Sequence, residues 1–176
     1  MIAILWAFLF LLPESGDNSA LIRRMEKDKV HWADFQGSPD MASQYDAQVY
    51  SGIHYSFSYQ HQGSNTALKY EVHSFINPAL SWSKREKQSA ELLAHEQLHY
   101  DISELYARKM RKALASYKLS KHAKADIEKL FNRINTERKR MQAKYDAETE
   151  HSKNRPAQKS WELFVASELW NLNNYQ

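Results

Sequence analysis

Alternating apolar and polar positions mark two strands in the first half of the chain. They cover residues 47–60 and 68–76, and a short polar loop lies between them. A period of two places successive side chains on opposite faces of a sheet, so each stretch predicts a half-buried strand. The short connection predicts that the two strands pair as an antiparallel β-hairpin. His54 and His73 fall on the polar faces, where we expect ordinary surface histidines.

The second half of the chain has the helical period. Apolar residues recur every three or four positions in three segments, which predicts three helices. The first helix should begin near Lys84, because Ser83-Lys-Arg-Glu86 fits a capping box. The apolar stripe of the first helix contains Leu98, Ile102, Leu105, Met110 and Leu114. That of the second helix contains Ala123, Ile127, Leu130, Phe131, Ile134, Met141 and Tyr145. That of the third helix contains Trp161, Phe164, Val165, Leu169 and Trp170. We therefore predict an α+β fold, in which a small antiparallel sheet packs on a helical part.

The N-terminus differs from the rest of the chain. Residues 2–12 are continuously apolar and end at Pro13, and they are fewer than the about 20 that a membrane-spanning helix needs. We interpret residues 1–20 as a signal peptide, although no Lys or Arg precedes the apolar run. A retained membrane anchor is the first alternative, and a buried helix of the domain is the second. Residues 21–176 then form one domain that is exported to the periplasm or secreted.

Composition narrows the chemistry that this domain can use. Cysteine is absent, which excludes disulfides and thiolate metal ligands, so a metal site must use imidazole and carboxylate groups. The formal charge is only +3, and we expect no nucleic-acid partner. Residues 108–144 nevertheless contain thirteen Lys and Arg against three acidic residues. This basic helical surface is either simply solvated or contacts an anionic surface or partner.

The segment His95-Glu96-Gln97-Leu98-His99 is an H-E-x-x-H zinc signature within the first predicted helix. Its spacing places the two imidazoles on one helical face, one turn apart, so that both can bind the same metal ion. Glu96 lies beside them, in position to act on a metal-bound water. We therefore predict a zinc site with His95 and His99 as ligands and Glu96 as a catalytic residue.

A catalytic zinc site needs a third protein ligand and one open position for water. Glu104 lies about 180° from His95 around the same helix, so it should face away from the metal. The best source of a ligand is residues 145–151, which concentrate carboxylates and an imidazole where the second helix should end.

These elements resemble the bacterial DUF922 family, whose members are regarded as zinc-dependent proteases. The matching elements are residues 32–37, Ser81-Trp82, residues 95–102 with Ala107-Arg108, residues 145–151, and Gln158 with Trp161. The resemblance implies a metallopeptidase-like fold without fixing a substrate. The family pattern reads approximately Tyr-Asp-x-x-Thr-x-His-Gly, whereas this chain has Ser152 in place of the glycine. Serine resists backbone conformations that glycine tolerates, so the local turn is where this chain departs from the family.

Within residues 145–151 we rank His151 first as the third ligand, because imidazole suits zinc and the chain can turn in at the end of the helix. Asp146 is the second choice and Glu148 the third. Asp146 can instead accept the free N–H of a ligand histidine and fix its tautomer. Tyr145 is either a catalytic hydrogen-bond donor to an oxyanion or a packed aromatic residue.

These residues favour a zinc-dependent hydrolase, a peptidase that cleaves peptide or related amide bonds with a zinc-activated water. Its partner would be a peptide or protein substrate, which could pair with the strand at residues 68–76. The alternative is a non-catalytic, zinc-stabilised envelope domain that binds a partner through its basic helices. A third interpretation treats His95 and His99 as ordinary histidines on a helix surface.

Overall fold

The structure is a computed structural model, which describes residues 21–62 and 65–176. The predicted signal peptide or anchor at residues 1–20 lies outside the described residues. Within the described part, no helix is both long enough and apolar enough to cross a membrane.

Two small antiparallel sheets form the β part of the fold. The strands are β1 (Ile22–Arg23), β2 (Ala47–Gln48), β3 (Ser51–Gln62), β4 (Asn65–Ile76) and β5 (Trp82–Ser83). Strands β3 and β4 pair along their whole length as the predicted hairpin, and β1 joins β4 on its other side to give the order β1-β4-β3. Strands β2 and β5 form a separate two-stranded sheet.

The first predicted strand is therefore divided, and residues 47–48 leave the hairpin. The break follows from the backbone hydrogen bonds of the two residues between β2 and β3. Val49 donates its N–H to a carboxylate of Glu96, and Tyr50 donates its N–H to Ser81 Oγ at 2.9 Å. Because both donors bond to side chains, the chain changes direction before it enters β3.

Three helices follow the sheets: α1 (Ala90–Ala115), α2 (Ala123–Thr149) and α3 (Arg155–Asn171). This confirms the predicted α+β class and the number of main helices. Helix α1 contacts β3 and β4 as well as α2 and α3, so it lies at the centre of the domain. The H-E-x-x-H residues belong to this central helix, which explains why other elements surround them.

The predicted start of α1 was wrong. Ser83 lies in β5, opposite Ala47, and the extended backbone at Lys84 prevents the capping box from forming. The helix begins at Ala90 instead, after Ser89, whose hydroxyl accepts the N–H of Leu92 at 3.1 Å. The strand pairing of Ser83 thus outweighs a local capping preference, and the H-E-x-x-H segment lies in the second and third turns of α1.

The core forms between the hairpin and the three helices. The predicted stripe of α1 is buried along its full length, and alternate residues of β3 and β4 pack against it. Trp161 and Val165 bring α3 into the same core, whereas Phe164 and Trp170 are exposed. The main buried members are Ile53, Tyr55, Val72, Leu98, Ile102, Tyr106, Met110, Leu114, Ile127, Ile134, Tyr145, Trp161 and Val165.

His54 and His73 are not ordinary surface histidines. They lie directly opposite each other on β3 and β4, and their half-buried rings stack with centroids 4.8 Å apart. Burial and the nearby His54 and Arg23 lower the pKa of His73 to about 4. Burial and Arg23 also lower the pKa of His54. Both rings are therefore neutral in the folded protein at neutral pH.

This pair should make the protein less stable as the pH falls from about 6.5 to about 4. In that range the unfolded chain binds protons at these histidines more readily than the folded protein, so protonation favours unfolding. Below the folded-state pKa the contribution levels off. We expect His73→Gln to reduce the loss of melting temperature between pH 7 and pH 4.5. His122→Gln, at an exposed histidine, is the control. Identical pH profiles for the two variants would contradict this assignment.

Candidate metal centre

His95 and His99 lie on the same face of α1, one turn apart, and both are buried. Their rings are almost perpendicular, at 87°, and the two Nε2 atoms lie 3.3 Å apart. The spacing of the signature thus has the predicted result, because both imidazoles present the same nitrogen to one point. Glu104 faces elsewhere, as predicted, and forms ion pairs with Arg108 and Arg111.

Asp146, near the end of α2, completes a group of three donor atoms. Its Oδ1 lies 3.1 Å from His95 Nε2 and 2.9 Å from His99 Nε2. Ligands of a tetrahedral zinc ion at about 2.0–2.1 Å stand about 3.3 Å from one another. The three separations are close to this value, so the group could hold a metal ion. We call His95, His99 and Asp146 the metal cluster.

Two glutamines orient the histidines of the metal cluster. His95 Nδ1 lies 3.2 Å from Gln158 Oε1, and His99 Nδ1 lies 2.5 Å from Gln142 Oε1. The amide nitrogen of Gln158 donates to Glu162, and that of Gln142 donates to Ser103 Oγ, so the amide oxygens face the histidines. Each Nδ1–H then donates to an amide oxygen, which leaves the Nε2 lone pair for a metal.

Tyr145 contacts both His95 and Gln158 and helps to hold them in position. It is fully buried, and its ring stacks on that of His95 with centroids 4.5 Å apart. Its hydroxyl donates to Gln158 Oε1 at 2.7 Å and lies 3.2 Å from the carbonyl oxygen of His95. Burial also raises the pKa of Tyr145. These contacts support a positioning role through Gln158 and His95, while the predicted donation to an oxyanion stays a prediction.

The two histidines of the metal cluster keep the Asp146 carboxylate ionised. Burial opposes ionisation of Asp146, but hydrogen bonds and charge from His95 and His99 outweigh it and hold the pKa of Asp146 well below its ordinary value. Burial also lowers the pKa of His99, yet Asp146 and Glu96 together raise it overall. Asp146 is therefore ionised at physiological pH, as a carboxylate must be in order to bind a metal.

The metal cluster opens into a cavity of about 430 Å³. Glu96 also lines this cavity, and its buried carboxylate is held by the N–H of Val49, which lies 2.7 Å from Oε2. The lining comes from the segment around β2 and from α1, α2 and the turn after α2. The described lining residues are Gln44, Tyr45, Asp46, Ala47, Gln48, Val49, Lys87, Ser89, Leu92, His95, Glu96, His99, Gln142, Asp146, His151, Ser152 and Lys153.

The three candidates for the third ligand occupy different positions. Asp146, the second choice, lies in the metal cluster. His151, the first choice, lies next to it, with Nδ1 3.4 Å from Asp146 Oδ1 and its ring against that of Tyr45. Glu148, the third choice, accepts a hydrogen bond from Trp161 Nε1 at 2.8 Å and does not line the cavity. His151 therefore faces the same cavity from outside the metal cluster.

The turn that carries His151 has an unusual backbone. Glu150, His151 and Ser152 all have positive φ angles, of 50°, 51° and 77°. This is the left-handed region that glycine adopts without cost and that other residues adopt at about 1–2 kcal/mol each. Ser152 thus occupies a conformation that favours glycine, so the serine does not prevent the turn but adopts it at an energetic cost.

We expect Ser152→Gly to stabilise the protein by about 0.5–1 kcal/mol. The gain is the relieved backbone strain, reduced by the greater freedom of glycine in the unfolded chain. For a domain of this size, that corresponds to a melting temperature about 1–4 °C higher. Ser152→Ala retains the Cβ atom and removes only the hydroxyl, so it should give no gain. An equal increase for both variants would show that the backbone conformation is not the cause.

The local sequence pattern does not indicate that Gln142 belongs to the site, nor what role Gln158 has in it. Gln142 lies one helical turn before Asp146 on α2, so its spacing placed it on the face that approaches the metal cluster. Gln158 was noted only as part of the resemblance. The hydrogen bond between Val49 and Glu96 could not be predicted from the sequence. Its donor is a backbone N–H, and it depends on how the residues after β2 pack against α1.

The chain is thus an α+β protein whose central helix carries the H-E-x-x-H segment and in which two histidines and an aspartate could hold a metal ion. Residues 34–152 match the family described as "Bacterial protein of unknown function (DUF922)". This match covers more than half of the chain, so the chain belongs to the DUF922 family. It includes the whole metal cluster, Glu96 and the turn at Ser152. No curated protein and no solved structure matches the chain.

Proposed function

We propose that this protein is a zinc-dependent hydrolase, and specifically a peptidase that cleaves peptide or related amide bonds. The observation that carries the proposal is the convergence of His95 Nε2, His99 Nε2 and Asp146 Oδ1 within 3.3 Å of one another. Two imidazoles and one carboxylate form a donor set that is typical of catalytic zinc. The absence of cysteine agrees with this set and disfavours the thiolate ligands of many structural zinc sites.

His95, His99 and Asp146 would supply three ligands to a zinc ion, and a tetrahedral ion would then keep one position for water. Zinc bound there would supply a water of lowered pKa, about 7, and would polarise a carbonyl group. The glutamine oxygens beside Nδ1 of His95 and His99 favour the tautomer in which Nδ1 carries the proton and Nε2 is free to bind a metal. This orientation is what a metal ligand needs, and it costs no rearrangement when the ion binds.

Glu96 is the proposed general base. Its carboxylate lines the cavity beside the metal cluster, and the hydrogen bond from Val49 to Oε2 fixes its orientation. We propose that the second oxygen takes the proton of the attacking water and passes it to the leaving amine. A buried glutamate that faces the cavity has no comparable use in a purely structural zinc site, which favours the hydrolase over the non-catalytic envelope domain.

Zinc analysis combined with chelation tests this proposal. We expect about one zinc per purified chain, and we expect 1,10-phenanthroline to abolish the cleavage of an unfolded protein substrate. Added zinc should restore activity, whereas magnesium should not. The melting temperature in the presence of chelator distinguishes the two functions, because removal of zinc from a catalytic site should leave most of the fold intact. Unfolding on chelation, without cleavage of any peptide or peptidoglycan library by the zinc form, would instead support the structural alternative.

A further inference from the structure

The backbone hydrogen bonds of β2 determine which of its groups face β5. The N–H of Lys84 donates to the carbonyl oxygen of Asp46 at 2.8 Å, next to the paired residues of the two strands. Along an antiparallel strand, alternate residues direct their N–H and C=O groups to the same neighbour. Gln48 therefore directs its backbone groups toward β5, as Asp46 does, and Ala47 directs its own toward the opposite edge.

That opposite edge of β2 faces the cavity. Val49, two residues after Ala47, uses its N–H on this edge to bond Glu96 Oε2 at 2.7 Å. Ala47 itself lines the cavity, and no side chain of the described residues bonds to its N–H or C=O. The edge thus presents one backbone donor and one acceptor beside the proposed general base. Strand β4, which we expected to receive the substrate, contributes no described residue to this cavity.

Two lysines of the cavity lining, Lys87 and Lys153, are exposed. The described lining also contains three acids, of which Glu96 and Asp146 belong to the proposed metal centre. The third is Asp46, and Lys84 Nζ lies 3.9 Å from its Oδ1. Apart from the metal centre, an acidic chain that enters the cavity would therefore meet two lysines and one carboxylate that already faces a cation.

We propose that the cavity binds an extended, acidic polypeptide, which adds as a strand to the free edge of β2. The N–H and C=O of Ala47 would hold its backbone, and Lys87 and Lys153 would contact its carboxylates. The scissile bond would then lie between this edge and the metal cluster, within reach of Glu96. This inference rests on the proposed function and names the substrate class of the same site.

Binding to a zinc-loaded Glu96→Gln variant tests the inference without the need for turnover. The probes are capped, fluorescein-labelled octapeptides that alternate glutamate with valine or lysine with valine. We expect the glutamate peptide to bind about tenfold more tightly than the lysine peptide. N-methylation of single peptide bonds should weaken binding at one position of the peptide, by about fivefold or more, because the free edge offers a single backbone acceptor, the C=O of Ala47.

Charge reversal identifies the basic contacts. In the Glu96→Gln background, the double substitution K87E/K153E should remove or invert the preference for the glutamate peptide. The substitution K129E/K139E makes the same change in net charge at exposed lysines of α2 outside the cavity, and it should leave the preference unchanged.

Three results would overturn the inference while zinc remains bound: no binding of either peptide at millimolar concentration, equal tolerance of N-methylation at every position, or a preference for the lysine peptide. None of these results would contradict the proposed zinc site or the proposed hydrolase activity. A failure of the wild-type chain to bind zinc would instead remove the proposed function, and this inference with it. Zinc content measured in the same samples therefore separates the two failures.

Discussion

Replacing Glu96 with glutamine will leave zinc bound and reduce the rate of peptide hydrolysis by about 100- to 10,000-fold. The amide retains the size of the side chain and can still accept the N–H of Val49, so the cavity should keep its shape. It cannot accept the proton of the attacking water. We therefore expect kcat to fall while zinc content and melting temperature remain close to those of the wild type.

The matched control is Glu91→Gln in the first turn of the same helix. Glu91 is exposed and forms an ion pair with Arg155 at 3.1 Å, outside the described lining of the cavity. This variant removes the same charge from α1 and should retain full activity. If Glu96→Gln keeps wild-type activity, Glu96 is not the general base and the proposed mechanism fails.

The second large effect concerns Asp146. Asp146→Ala removes the only carboxylate of the metal cluster and leaves two imidazoles, so zinc affinity should fall by more than about 100-fold. Competition with a chromophoric chelator measures the change directly. Glu148→Ala, two residues later on α2 and exposed, is the control and should bind zinc normally.

His151→Ala distinguishes the two leading candidates for the third ligand. With Asp146 as the ligand and His151 beside it, this variant should lose less than about tenfold in zinc affinity. A loss as large as that of Asp146→Ala would make His151 the ligand, as the sequence ranking has it. Asp146 would then serve to orient the histidines, a role that its contacts with His95 and His99 also allow.

The local features of the site could be predicted because they depend on spacing within one helix. The four-residue separation of His95 and His99 determines that their imidazoles converge, and the nine residues from His95 to Glu104 determine that Glu104 faces away. The apolar stripes gave the helices for the same reason, since burial along one face requires the period of the helix.

The remaining features depend on contacts between residues that are distant in sequence. The period of apolar residues within one segment does not reveal such contacts. Ser83 was assigned to a helix cap because its pairing with Ala47 in β5 and β2 is not visible in the local sequence. The order of Asp146 and His151 depends on how α2 packs against α1. That packing places the last turn of the helix, rather than the turn after it, closest to the two histidines.

We propose that His95, His99 and Asp146 hold one zinc ion, and an anomalous difference map recorded at the zinc absorption edge locates such an ion. A crystal of the zinc-loaded protein should show a single strong peak about 2.0–2.2 Å from His95 Nε2, His99 Nε2 and Asp146 Oδ1. A zinc-loaded crystal with no peak at these atoms, or with its peak elsewhere, would show that these three side chains are not the zinc ligands.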